Sequence, residues 1–104
     1  MRGALAASVL AVVAEEETYG YAIAQRLQAA GLGNVKGGTL YPILARLERD
    51  GLVESRWQAG EAGPGRKYFA ATPLGTASLR QLSNDWITFT ERVTTLLRAG
   101  KASL

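Results

Sequence analysis

Apolar positions in the first half of the chain repeat with a helical period in three successive runs. From Gly3 to Ala14 the large apolar residues Leu5, Val9, Val12 and Val13 share one face, and the run stops at Glu15, Glu16 and Glu17, which predicts a first helix. Thr18 then offers a hydroxyl to the free amides of a second helix with Tyr19, Ile23 and Leu27 on its core face, halted at Ala29-Ala30-Gly31. After a Gly-rich connection, Leu40, Ile43, Leu44 and Leu47 form the apolar stripe of a third helix that closes at Asp50-Gly51. Its opposite face, at about 100° per residue, carries Tyr41, Pro42, Ala45, Arg46 and Arg49. Two starts are open for it. Thr39 as N-cap keeps Pro42 in the first turn, whereas a start at Lys36 or Gly37 leaves Pro42 as a weak point inside the helix.

The pattern then changes. Leu52-Val53-Glu54-Ser55-Arg56-Trp57 and Arg66-Lys67-Tyr68-Phe69-Ala70-Ala71-Thr72 flank a loop of Gly and Ala with Pro64, the signature of a hairpin. Thr72-Pro73 reads as a cap with proline at the first helical position, opening a long helix that runs to Ala99-Gly100. Along it Leu79, Leu82, Trp86, Phe89, Val93 and Leu96 are spaced 3, 4, 3, 4 and 3 residues apart, the alternation of a coiled-coil seam. At about 2 kcal/mol each, these side chains represent on the order of 10 kcal/mol of burial, comparable to the whole net stability of a small domain. The seam packs either on its own domain or, as we expect from the length of the helix, on a second copy, together with Leu5 and Val9 of the first helix. The fold class expected is mainly α with a small β-hairpin: a winged helix-turn-helix over residues 1–72 and a long C-terminal dimerisation helix over residues 73–104, packed with the first helix into one unit.

Composition narrows the chemistry. A length of 104 residues leaves room for one domain, and 47% hydrophobic with 20% charged residues supports a core. The chain has no cysteine and no histidine, which removes disulfides, thiolate metal sites and the commonest general base. The acidic triplet Glu15–Glu17 reads as a solvated helix end, since adjacent acids rarely converge on one ion. We therefore expect no enzyme, no cofactor and no metal. No apolar run approaches the roughly 20 residues that cross a bilayer, and the start does not resemble a secretory signal, so the expectation is a cytoplasmic protein with no membrane partner.

A net charge of +3 suits a polyanion without demanding one. Distribution is more telling. Arg46 and Arg49 suit phosphates or guanine edges, Tyr41 and Thr39 a phosphate or a thymine methyl, and Pro42 and Ala45 allow close approach to bases. Gly63-Pro64-Gly65-Arg66-Lys67-Tyr68 offers a hairpin tip with two cations and a phenol, suited to backbone or minor-groove contact, although basic residues also protect edge strands. Tyr21, Gln25 and Gln28 lie opposite the core stripe of the second helix, where Tyr21 is a candidate phosphate contact.

Four segments in order, Tyr19-Gly20-Tyr21-Ala22-Ile23, Gly38-Thr39-Leu40-Tyr41-Pro42, Arg46-Leu47-Glu48-Arg49-Asp50-Gly51-Leu52 and Arg66-Lys67-Tyr68-Phe69, resemble successive signatures of the PadR family. The resemblance runs from about Leu5 to Leu97 and is similar to the compact subgroup with a single C-terminal helix. It implies a homodimeric repressor on a palindromic operator in double-stranded DNA, with ligands releasing many members. It also implies a role for Trp86, with Phe89 beside it, in binding a small aromatic or cationic effector at the dimer interface. The other reading of Trp86 is plain seam packing. Two departures stand out. Lys36 occupies a position where the family commonly has a capping serine, which makes Lys36 a candidate phosphate contact instead; and Thr72-Pro73-Leu74-Gly75 lacks the acids common before that glycine. The competing function is a winged-helix protein-interaction module without specific DNA binding.

Overall fold

The computed structural model describes residues 3–60 and 63–104. Among these, four helices and three strands follow in the order α1 (Ala4–Glu15), β1 (Thr18–Tyr19), α2 (Gly20–Ala29), α3 (Gly37–Arg49), β2 (Val53–Gln58), β3 (Arg66–Ala71) and α4 (Pro73–Ala102). α1 is the hub, packed against α2, α3, α4 and β3. It carries small or apolar residues around most of its circumference and buries Val9, Leu10 and Val13. Ile23 and Leu27 of α2, Leu40, Leu44 and Leu47 of α3, Val53 and Phe69 complete the core with Val35. Burying each of the Leu or Ile side chains contributes about 1.5–3 kcal/mol.

This corrects one interface expectation. Val9 is 0% exposed within its own chain and has no surface left for a partner, because α1 is surrounded by its own domain. Leu5 and Leu79 are half-buried against the same core.

Both predicted glycine stops close their helices in the same way. Gly31 takes φ +88° and Gly51 φ +76°, and the following amides, Leu32 and Leu52, reach back to the Leu27 and Leu47 carbonyls at 3.0 Å. That is the Schellman arrangement, which satisfies carbonyls the helix end would orphan. At the other end of α3 the earlier of the two starts is taken. The Lys36 carbonyl accepts from the Thr39 and Leu40 amides at 2.9 Å each, so Thr39 is inside the helix and not its cap. Pro42 then sits within the helix and offers no amide to the Gly38 carbonyl; Gly38 is exposed, where water can solvate the group.

The sheet has three strands in the order β1-β3-β2, all pairs antiparallel. The hairpin of β2 and β3 is as expected, but Thr18 and Tyr19 are not part of α2. They pair with Phe69 and Tyr68 of β3, and α2 begins at Gly20 without a side-chain cap. A β-branched and an aromatic residue favour the extended state, and the otherwise unpaired edge of β3 supplies the hydrogen bonds. Tyr19 is thus removed from the core stripe and placed on the outer face of the sheet.

α4 starts as its sequence indicates. The Thr72 hydroxyl accepts from the Gly75 amide at 3.0 Å and donates to the Gly51 carbonyl at 2.6 Å, with Pro73 at the first helical position. Gly75 is buried so tightly against the Leu52 carbonyl that no Cβ fits. α4 runs 30 residues, about 45 Å, and only its first half rests on the domain. Beyond Ile87 it projects freely, which gives a radius of gyration of 16.4 Å against about 13 Å for a compact domain of this length. No helix among the described residues is long and apolar enough to cross a membrane.

Candidate nucleic-acid interface

Burial of Leu40, Leu44 and Leu47 turns the opposite side of α3 outward. Gly38, Pro42, Ala45 and Arg49 occupy the centre of that side, with Thr39 and Arg46 on one flank and Tyr41 on the other; all are exposed. Arg49 is the long side chain at the centre of the outward face, among Gly38, Pro42 and Ala45. Lys36 is exposed at the N-cap position of α3. Neither α2 nor α3 has an acid in its first turn or a side-chain cap; the start of α3 is exposed at Gly37 and Gly38 and suits an anion, whereas that of α2 is buried at Gly20. Tyr21 is exposed on the first turn of α2.

Tyr41 connects these two helix starts. It is 51% exposed, yet its ring lies over Gly37 and its hydroxyl end rests on Gly20, where an added Cβ would come 2.8 Å from the hydroxyl-bearing ring carbon. A glycine at position 20 lets the tyrosine of α3 cross onto α2.

The expected wing residues divide between two faces, because neighbours along a strand point to opposite sides. Lys67 lies on the α3 side, 3.9 Å from Glu48, whose carboxylate also accepts from the Ser55 hydroxyl at 2.5 Å. Trp57, paired with Lys67 across the strands, is 71% exposed on this same side. Arg66 and Tyr68 are on the outer face.

On that outer face a continuous stack has formed. The Arg66 guanidinium lies 4.4 Å over the Tyr19 ring, Tyr19 meets Tyr68 edge-on at 5.4 Å, and the Arg56 guanidinium lies 5.2 Å over Tyr68. Arg56 in turn donates to both carboxylate oxygens of Glu17, from Nε at 2.9 Å and Nη2 at 2.5 Å. The hydrogen bonds from Arg56 hold the Glu17 carboxyl below the usual carboxylate range, and the same bonds raise Arg56. Tyr68 is half-buried as a platform for these groups. Glu17, Tyr19 and Arg56 escaped the sequence reading as parts of the site. Glu17 and Tyr19 flank Thr18, and alternation along an extended chain puts the two on one face, a local trace of the arrangement.

The acidic triplet splits up. Glu15 pairs with Arg26 at 3.1 Å while Glu17 turns to Arg56, and no cluster among the described residues is arranged to hold a metal ion. On α4, Leu82, Trp86 and Val93 are half-buried, while Phe89 and Leu96 are exposed. The Trp86 and Phe89 rings are 6.4 Å apart.

Comparison with known proteins gives the setting. Residues 9–81 match the Transcriptional regulator PadR-like family. The chain is 39% identical over 80 residues to the transcriptional regulator Rv3488 of Mycobacterium tuberculosis, covering 77% of this chain and 73% of that protein. Among solved structures, a PadR family transcriptional regulator from Eggerthella lenta superposes with a TM-score of 0.81 at 36% identity, over 92% of this chain and 83% of that one. A PadR-like transcriptional regulator from Bacillus cereus gives 0.80 at 32% identity, over 89% and 90%. With its winged-helix architecture and most of its length matched, the chain belongs to the PadR-like family of transcriptional regulators, a membership that implies DNA binding.

Proposed function

We propose that the protein is a repressor that binds a palindromic operator as a homodimer and is released by a small aromatic or cationic effector. The observation that carries the DNA-binding part is the outward face of α3: Arg49 at its centre, Arg46 and Thr39 on one flank, Tyr41 on the other, and Pro42 and Ala45 small enough for close approach. Lys36, Tyr21 and the exposed start of α3 supply phosphate contacts around it. Arg66 and Lys67 extend the contact along the wing, with Tyr68 supporting them. The Lys67–Glu48 pair is long and partly exposed, so exchanging it for a phosphate costs little.

The homodimer reading is supported by the unsupported half of α4. Leu96 is 73% and Leu97 67% exposed, a pattern water does not favour and a second copy would cover. Leu82, Trp86, Phe89, Val93 and Leu96 form that seam, with the uncovered parts of Leu5 and Leu79 beside it. The effector reading rests on an open groove of about 360 Å³ between α1 and α4, bordered by Trp86, Ala7, Ala11 and Leu82. That volume is within the usual range of small-molecule sites.

A gel-shift titration with promoter DNA tests the interface. Tyr41→Ala and Arg49→Ala should each weaken operator binding at least about fivefold, as loss of a base or phosphate contact worth about 1–3 kcal/mol requires, with the oligomeric state unchanged. Unaltered affinity in both variants removes α3 from the interface. Selection from a random DNA pool should return half-sites about 10 base pairs apart; an interaction module would show no sequence preference. For the effector, a Trp57→Phe variant leaves Trp86 as the fluorophore, and planar aromatic cations should quench it.

A further inference from the structure

The outer face of the sheet carries more organisation than a solvated edge needs. Arg66 stands beside the wing tip, and its guanidinium carbon lies 4.4 Å from the centre of the Tyr19 ring. Tyr19 belongs to a different part of the chain, a strand of two residues at the start of α2. The residue next to it, Gly20, is the seat of Tyr41 from α3. Two consecutive residues therefore hold a cation of the wing and an aromatic of α3. Arg56 is fixed in the same manner by Tyr68 and Glu17.

We propose that β1 is a positioning strand for DNA binding, in which Tyr19 holds the wing guanidinium of Arg66 toward the DNA backbone without touching DNA itself, while Arg56, its N–H groups engaged by Glu17 and Gln58, braces the neighbouring Tyr68 ring. The inference rests on the reading of the wing as a DNA contact. An arginine side chain loses up to about 2 kcal/mol of rotamer freedom when it is immobilised. Stacking in the free protein meets part of that cost before DNA arrives, so binding loses less entropy. A guanidinium over a ring face does not spend its N–H groups on the ring: they lie in its own plane and stay available at its edge, where a phosphate can accept them. The backbone pairing of β1 with β3 does not depend on the Tyr19 ring, so the ring can be removed with the strand in place.

The experiment is a pair of double-mutant cycles on promoter DNA. Arg66→Ala should weaken binding roughly tenfold and lower the salt slope by about 0.9, the value of one phosphate. Tyr19→Leu and Tyr19→Met should weaken it roughly threefold to fivefold, a cost comparable to freeing part of one arginine side chain, and Tyr19→Phe should bind as the wild type does. Combined with Arg66→Ala, the Tyr19 changes should add nothing further; combined with Arg49→Ala, they should add in full. In the free protein, the Arg66 side-chain resonances should show the ring-current shift of Tyr19, kept in Tyr19→Phe and lost in Tyr19→Leu. Full additivity with Arg66→Ala, or Arg66 resonances indifferent to the ring, overturns the proposal. Wild-type protein without promoter preference overturns the functional reading instead, and the resonances of the free protein still decide the positioning.

Discussion

Two glycines of α4 should respond in opposite directions to the same substitution. In a helix, alanine is favoured over glycine by about 1 kcal/mol, so helix propensity alone predicts that Gly75→Ala and Gly100→Ala both stabilise. The structure separates them. A Cβ on Gly100 meets open space, while one on Gly75 would lie 2.9 Å from the Leu52 carbonyl carbon and closer still to its oxygen. That neighbour is backbone, fixed by the Schellman turn before it and by the Thr72 amide that donates to the Leu52 carbonyl at 3.1 Å. Forcing them apart costs about 1–3 kcal/mol of overpacking and strains a hydrogen bond worth about 1 kcal/mol, against the helical gain. The net destabilisation is about 1–3 kcal/mol. At about 4–8 °C per kcal/mol for a domain of this size, Gly75→Ala should lower Tm by roughly 5–20 °C, and Gly100→Ala should raise it by a few degrees. Thermal unfolding followed by circular dichroism at one fixed protein concentration measures both. A Gly75→Ala protein as stable as the wild type would refute the claim that the close approach of α4 to Leu52 organises the junction of wing and helix.

Leu96→Asp tests α4 as a dimer element: the side chain is 73% exposed in the single chain, so its replacement should keep the helical circular-dichroism spectrum while converting a dimer to monomers in sedimentation, with Tm falling by what association contributed. A dimer that persists moves the interface elsewhere. The Glu17–Arg56 pair makes a pH prediction. Because Arg56 lowers the Glu17 pKa, the pair's stabilisation is complete above the ordinary carboxylate range, about pH 4, and is lost as pH falls through the lower folded value. Arg56→Gln should raise the Glu17 titration midpoint observed by carboxyl NMR and flatten that acid limb of stability; an unmoved midpoint contradicts the pairing.

Much of the architecture follows from local rules. The stripe Leu40, Ile43, Leu44, Leu47 decides which side of α3 faces inward, and hence that Arg49, Pro42 and Ala45 face outward. Gly31 and Gly51 end their helices because a left-handed residue is needed there, and Thr72-Pro73 opens α4 because a hydroxyl followed by a ring of fixed φ suits a helix start. These are signals carried within a few residues.

Other features depend on what comes close from elsewhere. Val9 and Val93 are both valines at helical spacing, but α1 is enclosed by α2, α3, α4 and β3 and α4 beyond Ile87 is not, so one is core and the other faces outward in part. Thr18 reads as a cap and Tyr19 as a helix residue until the edge of β3 arrives to pair with them. The Tyr41 seat on Gly20, the Lys67 approach to Glu48 and the Arg66–Tyr19–Tyr68–Arg56 stack join segments distant in sequence. Sequence by itself determined the helices, their faces and the basic character of the exposed one, since periodicity and capping act over a turn or two. Tertiary structure alone decided which apolar residues are core and how the wing cations are aimed, since burial and stacking depend on long-range neighbours that no local pattern encodes.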